Sequence, residues 1–306
     1  ENKDKLDSLR MKLFEARKKR VHPYKDDKIL TDWNGLMIAA FAFGSRVLGE
    51  PRYAEIAGKA ANFILNNMTA PEGRLYHRYR ENEAGIDGHL DDYSFIVHGL
   101  IELYQATHKV GYLRDAIAFT HKMLELFWDN ENGGLFLAPI SSKDLIFRNK
   151  DVYDGAIPSG SSIAALNLIR LARLTGNIDY ENKAKEIFSL FAGKISEAPS
   201  AFAQMLSAFE YLSGWSYELI VASDELDGKV SDVLSLFYNK FNPNMITHVK
   251  TLENSGELED AAPFVSGYKS IDKKPAIYIC RNFACERPLT DAEEALKLIS
   301  NTKKAP

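Results

Sequence analysis

A helical-hairpin unit recurs along the chain. Tyr53, Tyr112 and Tyr180 each follow a Gly-containing break, namely Leu48-Gly49-Glu50-Pro51, Lys109-Val110-Gly111 and Thr175-Gly176-Asn177. Two long apolar-rich segments flank every break. Carried back along the chain, the same register aligns Asp32 with Asp91 and with Ser159, each at the start of the first helix of its hairpin. A unit of two helices and a long return loop, repeated, predicts a helical array or toroid. Such an array gathers its equivalent loops on one face, and chemistry is expected there.

The two helices of each hairpin differ. Residues 33–47 include the consecutive apolar run Leu36 to Phe43, and a helix apolar all round is buried all round. Residues 53–68 place Ile56, Ala60, Phe63 and Ile64 on one face, as an outer helix does. The contrast recurs in the second hairpin (Phe95 to Leu103, then Tyr112 to Trp128) and in the third (Ile163 to Leu171, then Tyr180 to Phe191). A fourth inner helix is predicted from Ser200 to Leu212. The fold class expected is mainly α, an (α/α) toroid of helical hairpins with a small α/β segment at the C-terminus. Its parts are a lead-in over 1–30, the hairpin toroid over 31–214 and the α/β segment over 215–306. Within the last part, Tyr217-Glu218-Leu219-Ile220-Val221-Ala222 and Ala276-Ile277-Tyr278-Ile279-Cys280 read as buried strands. The N-terminal helix, near 4–20, carries Leu6, Leu9, Leu13 and Phe14 on one side without an evident partner.

Charge excludes some partners. With 38 Lys plus Arg against 42 Asp plus Glu, the net charge of −4 gives no general attraction to nucleic acid or to anionic membranes. No uninterrupted apolar run is long enough to cross a bilayer and no signal-peptide core opens the chain, so a cytoplasmic location is expected. Glu1 begins in mid-helix without a methionine, which suggests a piece of a longer protein. Cys280 and Cys285 are separated by four residues rather than two and lack a His/Cys cluster around them, so buried thiols are expected, with neither metal nor cofactor.

The inner-helix starts are Asp32, Asp91, Ser159 and Ser200, all good N-caps, and capping alone is enough to explain them. The neighbours that break the repeat carry more information: Trp33 and Asn34 in the first unit, His89, Asp92 and Tyr93 in the second, Gly160 and Ser161 in the third. Asp92 follows a capping Asp at a helix start aimed into a cavity, which gains little for the fold and sets two like charges together, so one is expected to titrate high. That suits a general acid or base. His89 adds a group titrating near neutrality. Asp154, in the loop before the third inner helix, is the candidate partner carboxylate. Trp33 and Tyr93 suit stacking on a sugar ring. Asp32, Asn34, Asp91, Ser159 and Gly160 complete the expected binding rim. In the strand-like run Leu75 to Arg80, His77 and Arg78 point to opposite sides, so at most one faces the cavity.

The run Ala16-Arg17-Lys18-Lys19-Arg20-Val21-His22-Pro23, continuing through Asp27-Lys28-Ile29-Leu30-Thr31-Asp32-Trp33-Asn34-Gly35-Leu36-Met37-Ile38, resembles the start of the helical region in one widespread family. That family comprises the thioredoxin-domain proteins related to the spermatogenesis-associated thioredoxin-like protein. Leu90-Asp91-Asp92-Tyr93, Ile157-Pro158-Ser159-Gly160-Ser161-Ser162 and Cys280-Arg281-Asn282-Phe283-Ala284-Cys285 extend the resemblance over essentially the whole chain. It implies a six-hairpin toroid, similar to those of six-hairpin glycosidases and N-acylglucosamine 2-epimerases, normally preceded by a thioredoxin-like domain. About eight helices are counted here where a closed barrel has twelve, so a fragment or an open barrel is expected. The family usually has Asn where this chain has Ser161. Epimerases of this fold use two histidines as acid and base, and His89 has no evident second in the sequence.

Two functions follow as expectations. The first is a carbohydrate-active or carbohydrate-binding toroid, with Asp92 as acid/base, Asp154 and His89 as partners, and a sugar as ligand. The second is a non-catalytic scaffold for a thioredoxin-like domain, in cis or trans, with a role in thiol redox.

Overall fold

A computed structural model describes residues 2–142 and 145–302. Its N-terminal helix α1 (Asn2–Lys18) buries none of its residues. The short strand β1 (Ile29–Leu30) leads into α2 (Thr31–Leu48), which turns back through Gly49, in the left-handed region with φ 65°, to α3 (Pro51–Asn67). Strands β2 (Tyr76–Arg80) and β3 (Glu83–Asp87) fill the first return loop and form an antiparallel three-stranded sheet with β1, in the order β1-β2-β3. The next hairpins are α4 (Leu90–Thr107) with α5 (Val110–Phe127), and α6 (Gly160–Thr175) with α7 (Ile178–Glu197). Helix α8 (Ala203–Ser213) closes the helical part.

Helices α2, α4, α6 and α8 are the inner row, each packed on the next. The inner–outer contrast is physical: α4 buries 14 of its 18 residues, whereas α3 buries four of 17. Backbone contact sets the closest approach. A Cβ on Gly35 would lie 2.5 Å from the Phe95 carbonyl carbon, and one on Gly99 would lie 2.8 Å from the Gly35 carbonyl oxygen. Only glycine lets α2 and α4 come this near, and that approach brings the starts of the two helices together.

Helix α2 departs from expectation. Its sequence is apolar all round, yet only the stripe Thr31, Asp32, Gly35, Ile38, Ala39, Ala42 and Ser45 is buried, while Trp33, Met37, Phe43 and Val47 are exposed. It stands at one flank of an open arc, with α4 on one side only. Leu206 and Phe209 of α8 are likewise exposed at the other flank. The arc is therefore an open portion of an α/α toroid.

The C-terminal segment contains β4 (Tyr217–Ala222), α9 (Gly228–Tyr238), β5 (Met245–Lys250), α10 (Ser255–Ala261), β6 (Ala276–Arg281), β7 (Ala284–Cys285) and α11 (Ala292–Thr302). Its sheet has the order β5-β4-β6-β7, with β4 and β5 parallel and the other pairs antiparallel. Strand β5, fully buried, escaped the sequence reading because Thr247, His248 and Lys250 mask its apolar character. The two faces of the sheet serve different cores. Tyr217, Leu219 and Val221 pack with Val230 and Phe237 of α9, whereas Ile220, Ile246 and Cys280 join the core of the helical row.

Candidate active site at the inner-helix rim

The first two inner helices start one residue earlier than their expected caps, and this changes the roles of the residues there. Leu30 and His89 hold the cap positions, so Asp32 and Asp91 lie inside the first helical turn, where a carboxylate is favoured by the helix dipole. Ser159 does cap α6: its Oγ accepts from the Ser162 N–H at 3.1 Å. Ser200 lies in a short 3-10 turn ahead of α8, and that helix is capped from a distance.

The distant cap is Asp154. Its Oδ2 accepts from the backbone N–H groups of Gln204 and Met205 at 2.9 and 3.0 Å, and its Oδ1 accepts from Ser159 N–H at 2.9 Å. With its carboxylate so occupied, Asp154 joins two inner-helix starts and is not the free partner carboxylate that the sequence suggested.

Asp92 is likewise corrected. Its side chain is buried, Oδ2 accepts from the His89 backbone N–H at 2.8 Å, and Oδ1 accepts from the Asp32 backbone N–H at 3.0 Å. One carboxylate thus ties the start of α2 to the start of α4, so it contributes directly to the fold. The His77 Nδ1 lies 3.0 and 3.1 Å from the two Asp92 oxygens. Burial alone would raise the Asp92 pKa, but the hydrogen bonds from His77 and His89 outweigh it and hold the carboxyl below the usual range. Asp92 is a fixed anion with no spare face for a substrate proton.

The group that does titrate high is Asp91. Burial pushes it up, the nearby Asp32 and Asp92 charges add to the effect, and the Gly160 N–H opposes it, leaving a pKa of about 6. A Cβ on Gly160 would overlap Asp91 Oδ1, so glycine there makes room for the carboxylate rather than for a ligand. Asp32 is raised in the same direction, by burial first and then by the charge of Asp92.

His77 is the residue that sequence reasoning left unassigned. Its strand is pinned at two adjacent points: Leu75 N–H donates to the Tyr93 hydroxyl at 2.9 Å, and the Thr31 hydroxyl donates to the Tyr76 carbonyl at 2.6 Å. These two bonds hold the next side chain over Asp92. The usable signal was alternation, since Leu75 is buried and residues two apart on a strand share a face. Hydrogen bonding to Asp92 raises the His77 pKa against the opposing effect of burial. His89 stands beside it, with ring centroids 5.5 Å apart, so a second histidine does accompany His89. His77, His89 and Asp92 also present three donor atoms within 4.8 Å of one another.

The remaining expectations divide. Trp33 is 62% exposed at the rim beside Asp32, free to meet a ligand. Tyr93 is 1% exposed and packs edge-on against Phe127, so it belongs to the core and not to a stacking surface; burial raises its pKa to about 12. Asn34 turns back to donate to the Leu30 carbonyl at 2.8 Å. His89, Asp87, Phe147 and Asn149 border an open groove of about 1030 Å³ next to the cluster. No helix among the described residues is long and apolar enough to cross a membrane. Cys280 and Cys285, expected as buried thiols, are joined as a disulfide. The short β6–β7 hairpin sets the two residues directly opposite each other, a pairing that spacing alone did not reveal.

No family model matches the chain. Among solved structures, a cellobiose 2-epimerase from Bacillus thermoamylovorans aligns with a TM-score of 0.47 at 18% identity, over 56% of this chain and 46% of that one. A family 76 α-mannanase of Bacteroides thetaiotaomicron aligns with a TM-score of 0.47 at 16% identity, over 57% and 47%. In sequence, the chain is 31% identical over 304 residues to spermatogenesis-associated protein 20 of Homo sapiens, covering 96% of this chain and 39% of that protein. It is 32% identical over 298 residues to the protein of the same name from Rattus norvegicus, covering 94% and 38%. The chain thus spans about two fifths of the length of the curated relatives it matches, proteins named spermatogenesis-associated protein 20.

Proposed function

We propose that the rim of α2 and α4 is an acid/base site acting on a sugar or a similar polyhydroxylated molecule. One observation carries the reading: a carboxyl titrating near 6, Asp91, stands close enough to interact with a histidine that is held by the buried anion Asp92. At neutral pH Asp91 is mostly ionised and serves as general base. His77, with its pKa raised, keeps its proton longer than a free imidazole and serves as general acid through Nε2. Asp92 positions His77 and does not itself exchange a proton with substrate. The exposed ring of Trp33 offers an apolar face to the C–H side of a sugar, and His89 extends the polar wall into the adjoining groove.

The test is a calorimetric and thermal-shift screen of mono- and disaccharides, N-acetylhexosamines and uronic acids, with every hit repeated on Asp91→Asn and His77→Gln. Hits are then incubated in D2O. Deuterium appearing on a sugar carbon marks an epimerase or isomerase, and new reducing ends mark a hydrolase. Turnover is expected to fall by about 10²–10⁴ in either variant and to follow a bell in pH, with the acid limb near 6 from Asp91. A folded sample that binds no sugar in the screen would defeat the reading.

A second reading, a helical scaffold for a thioredoxin-like domain with a role in thiol redox, is favoured by the Cys280–Cys285 disulfide. Binding of an isolated thioredoxin-like domain by the chain, measured by calorimetry, tests it. Absence of binding would defeat it.

A further inference from the structure

The far side of the helical row carries a second cluster of unusual groups. Cys280 on β6 and Cys285 on β7 face each other across a hairpin whose two turn residues, Asn282 and Phe283, both have positive φ, 48° and 64°. Hydrogen bonding already closes this hairpin, so a covalent link adds little loop-closure stabilisation. The link needs another explanation.

The two sulfurs have different surroundings. Cys280 is fully buried and Cys285 is partly exposed, so an incoming group reaches only the second. The Tyr268 hydroxyl lies 2.7 Å from Cys285 Sγ and 3.9 Å from Cys280 Sγ. Glu218 is the register partner of Cys280 on β4, which puts the two side chains side by side on one face of the sheet. Glu218 is itself fully buried. Its Oε2 accepts from the Phe283 N–H at 3.2 Å, inside the hairpin turn, and its Oε1 has no hydrogen-bond partner.

We propose that Cys280–Cys285 is a second reactive centre, a thiol-exchange site at which a small-molecule thiol attacks Cys285, with Cys280 as the buried resolving sulfur and Glu218 as its proton relay. In the forward step a thiolate RS⁻ attacks Cys285 Sγ and the Sγ–Sγ bond breaks. The electron pair leaves on Cys280 Sγ, which takes a proton from the Glu218 carboxyl, giving a mixed disulfide on Cys285 and a thiol on Cys280. A second RS⁻ attacks the outer sulfur of the mixed disulfide, releasing RSSR. Two RSH are thereby oxidised and the protein disulfide is reduced by two electrons. In the reverse direction Glu218 takes the Cys280 proton, and the Cys280 thiolate attacks Cys285 Sγ and expels RS⁻. Burial raises the Glu218 pKa to about 7, which suits a group that gives and takes a proton near neutrality. The inference deepens the thiol-redox part of the second reading and rests on no thioredoxin-like domain. An inert disulfide in a chain that binds such a domain would defeat the inference and leave that reading standing.

The experiment holds the folded chain in glutathione redox buffers, from reducing to oxidising, and quenches it with acid and an alkylating reagent for mass spectrometry. The wild type should open and reclose its disulfide reversibly while its circular dichroism stays native. With glutathione disulfide, Cys280→Ser should accumulate an adduct on Cys285, whereas Cys285→Ser should form one on Cys280 at least about tenfold more slowly. Glu218→Gln should slow both opening of the disulfide by thiolate at Cys285 and the reverse step, resolution of the mixed disulfide, each by about 10²-fold. A disulfide that opens only when the chain unfolds, thiols that never pair in oxidising buffer, or equal reactivity of the two cysteines would each overturn the proposal. Should Glu218→Gln fail to fold, the two cysteine variants decide it alone.

Discussion

The two ends of the inner helices show opposite solutions to the same problem of charge near a packed core. At the C-terminal ends, Glu102 is buried between Arg46 and Arg170, and Arg173 pairs with Glu181 at 3.1 Å. Burial would raise Glu102, yet the two arginines outweigh it and bring its pKa down to about 2. At the N-terminal ends, Asp32, Asp91 and Asp92 crowd together with His77 and His89 as counter-charge, and two of the three carboxyls are raised. The arginines at the C-termini and the aspartates at the N-termini follow the helix dipoles, whereas Glu102 is held near a C-terminus by its two arginines. The two ends differ in balance. The paired end is locked and serves stability, whereas the unpaired end keeps groups able to change protonation, which is what a reactive site needs and what stability disfavours.

The sharpest way to break this comparison is to unbalance the paired end. Glu102→Gln leaves Arg46 and Arg170 buried without their anion, and a loss of about 3–5 kcal/mol is expected in urea denaturation. A loss below about 1 kcal/mol would mean that the arginines find other partners, and the two ends would then be alike.

The rim should respond with the opposite sign. The folded pKa of Asp91, about 6, lies above its ordinary value of 3.8, so folding favours the protonated form. The native state is therefore unburdened below about pH 4, and it loses stability as pH rises from there through about 6, where Asp91 ionises against its neighbours. Asp91→Asn removes that cost. The variant should be more stable than wild type by about 1–2 kcal/mol at pH 7, after discounting for the solvent that reaches this half-buried group. The two proteins should converge at pH 4. A variant less stable than wild type at both pH values would show that the Asp91 charge is compensated after all.

How much of this was legible in the sequence depended on distance along the chain. The hairpins were legible because the apolar period of a helix is local, and so were β4 and β6 as continuous apolar runs. The cluster of acidic residues at Asp32, Asp91 and Asp92 was legible because the repeat puts them at equivalent positions. The division of labour within it was not. Whether Asp92 or Asp91 titrates high turns on the Asp32 N–H and on the His77 ring, 60 and 15 residues away, and on the absence of a side chain at Gly160. Asp154 reads in the sequence as a free loop carboxylate because the three N–H groups it accepts from lie ahead of it in the chain, two of them 50 and 51 residues on. Tyr93 reads as a rim aromatic because its neighbours in sequence are at the rim, but its side chain points inward to Phe127 and Leu75.

Trp33 and Tyr93 provide the finest comparison, two aromatics in the first turns of neighbouring inner helices with opposite fates. Tyr93 holds β2 in place from the core, so its loss would disturb the fold and the aim of His77 together. Trp33 is exposed, and its backbone N–H donates to Asp32 Oδ1 at 2.7 Å, a bond that any residue there retains. Trp33→Ala should therefore change the unfolding free energy, measured in urea, by no more than about 0.5 kcal/mol. A larger loss would mean that the indole packs against the rim, and the openness that distinguishes this end from the arginine-locked one would not extend to Trp33. A neutral outcome combined with weakened sugar binding would place the indole on the ligand side of the rim.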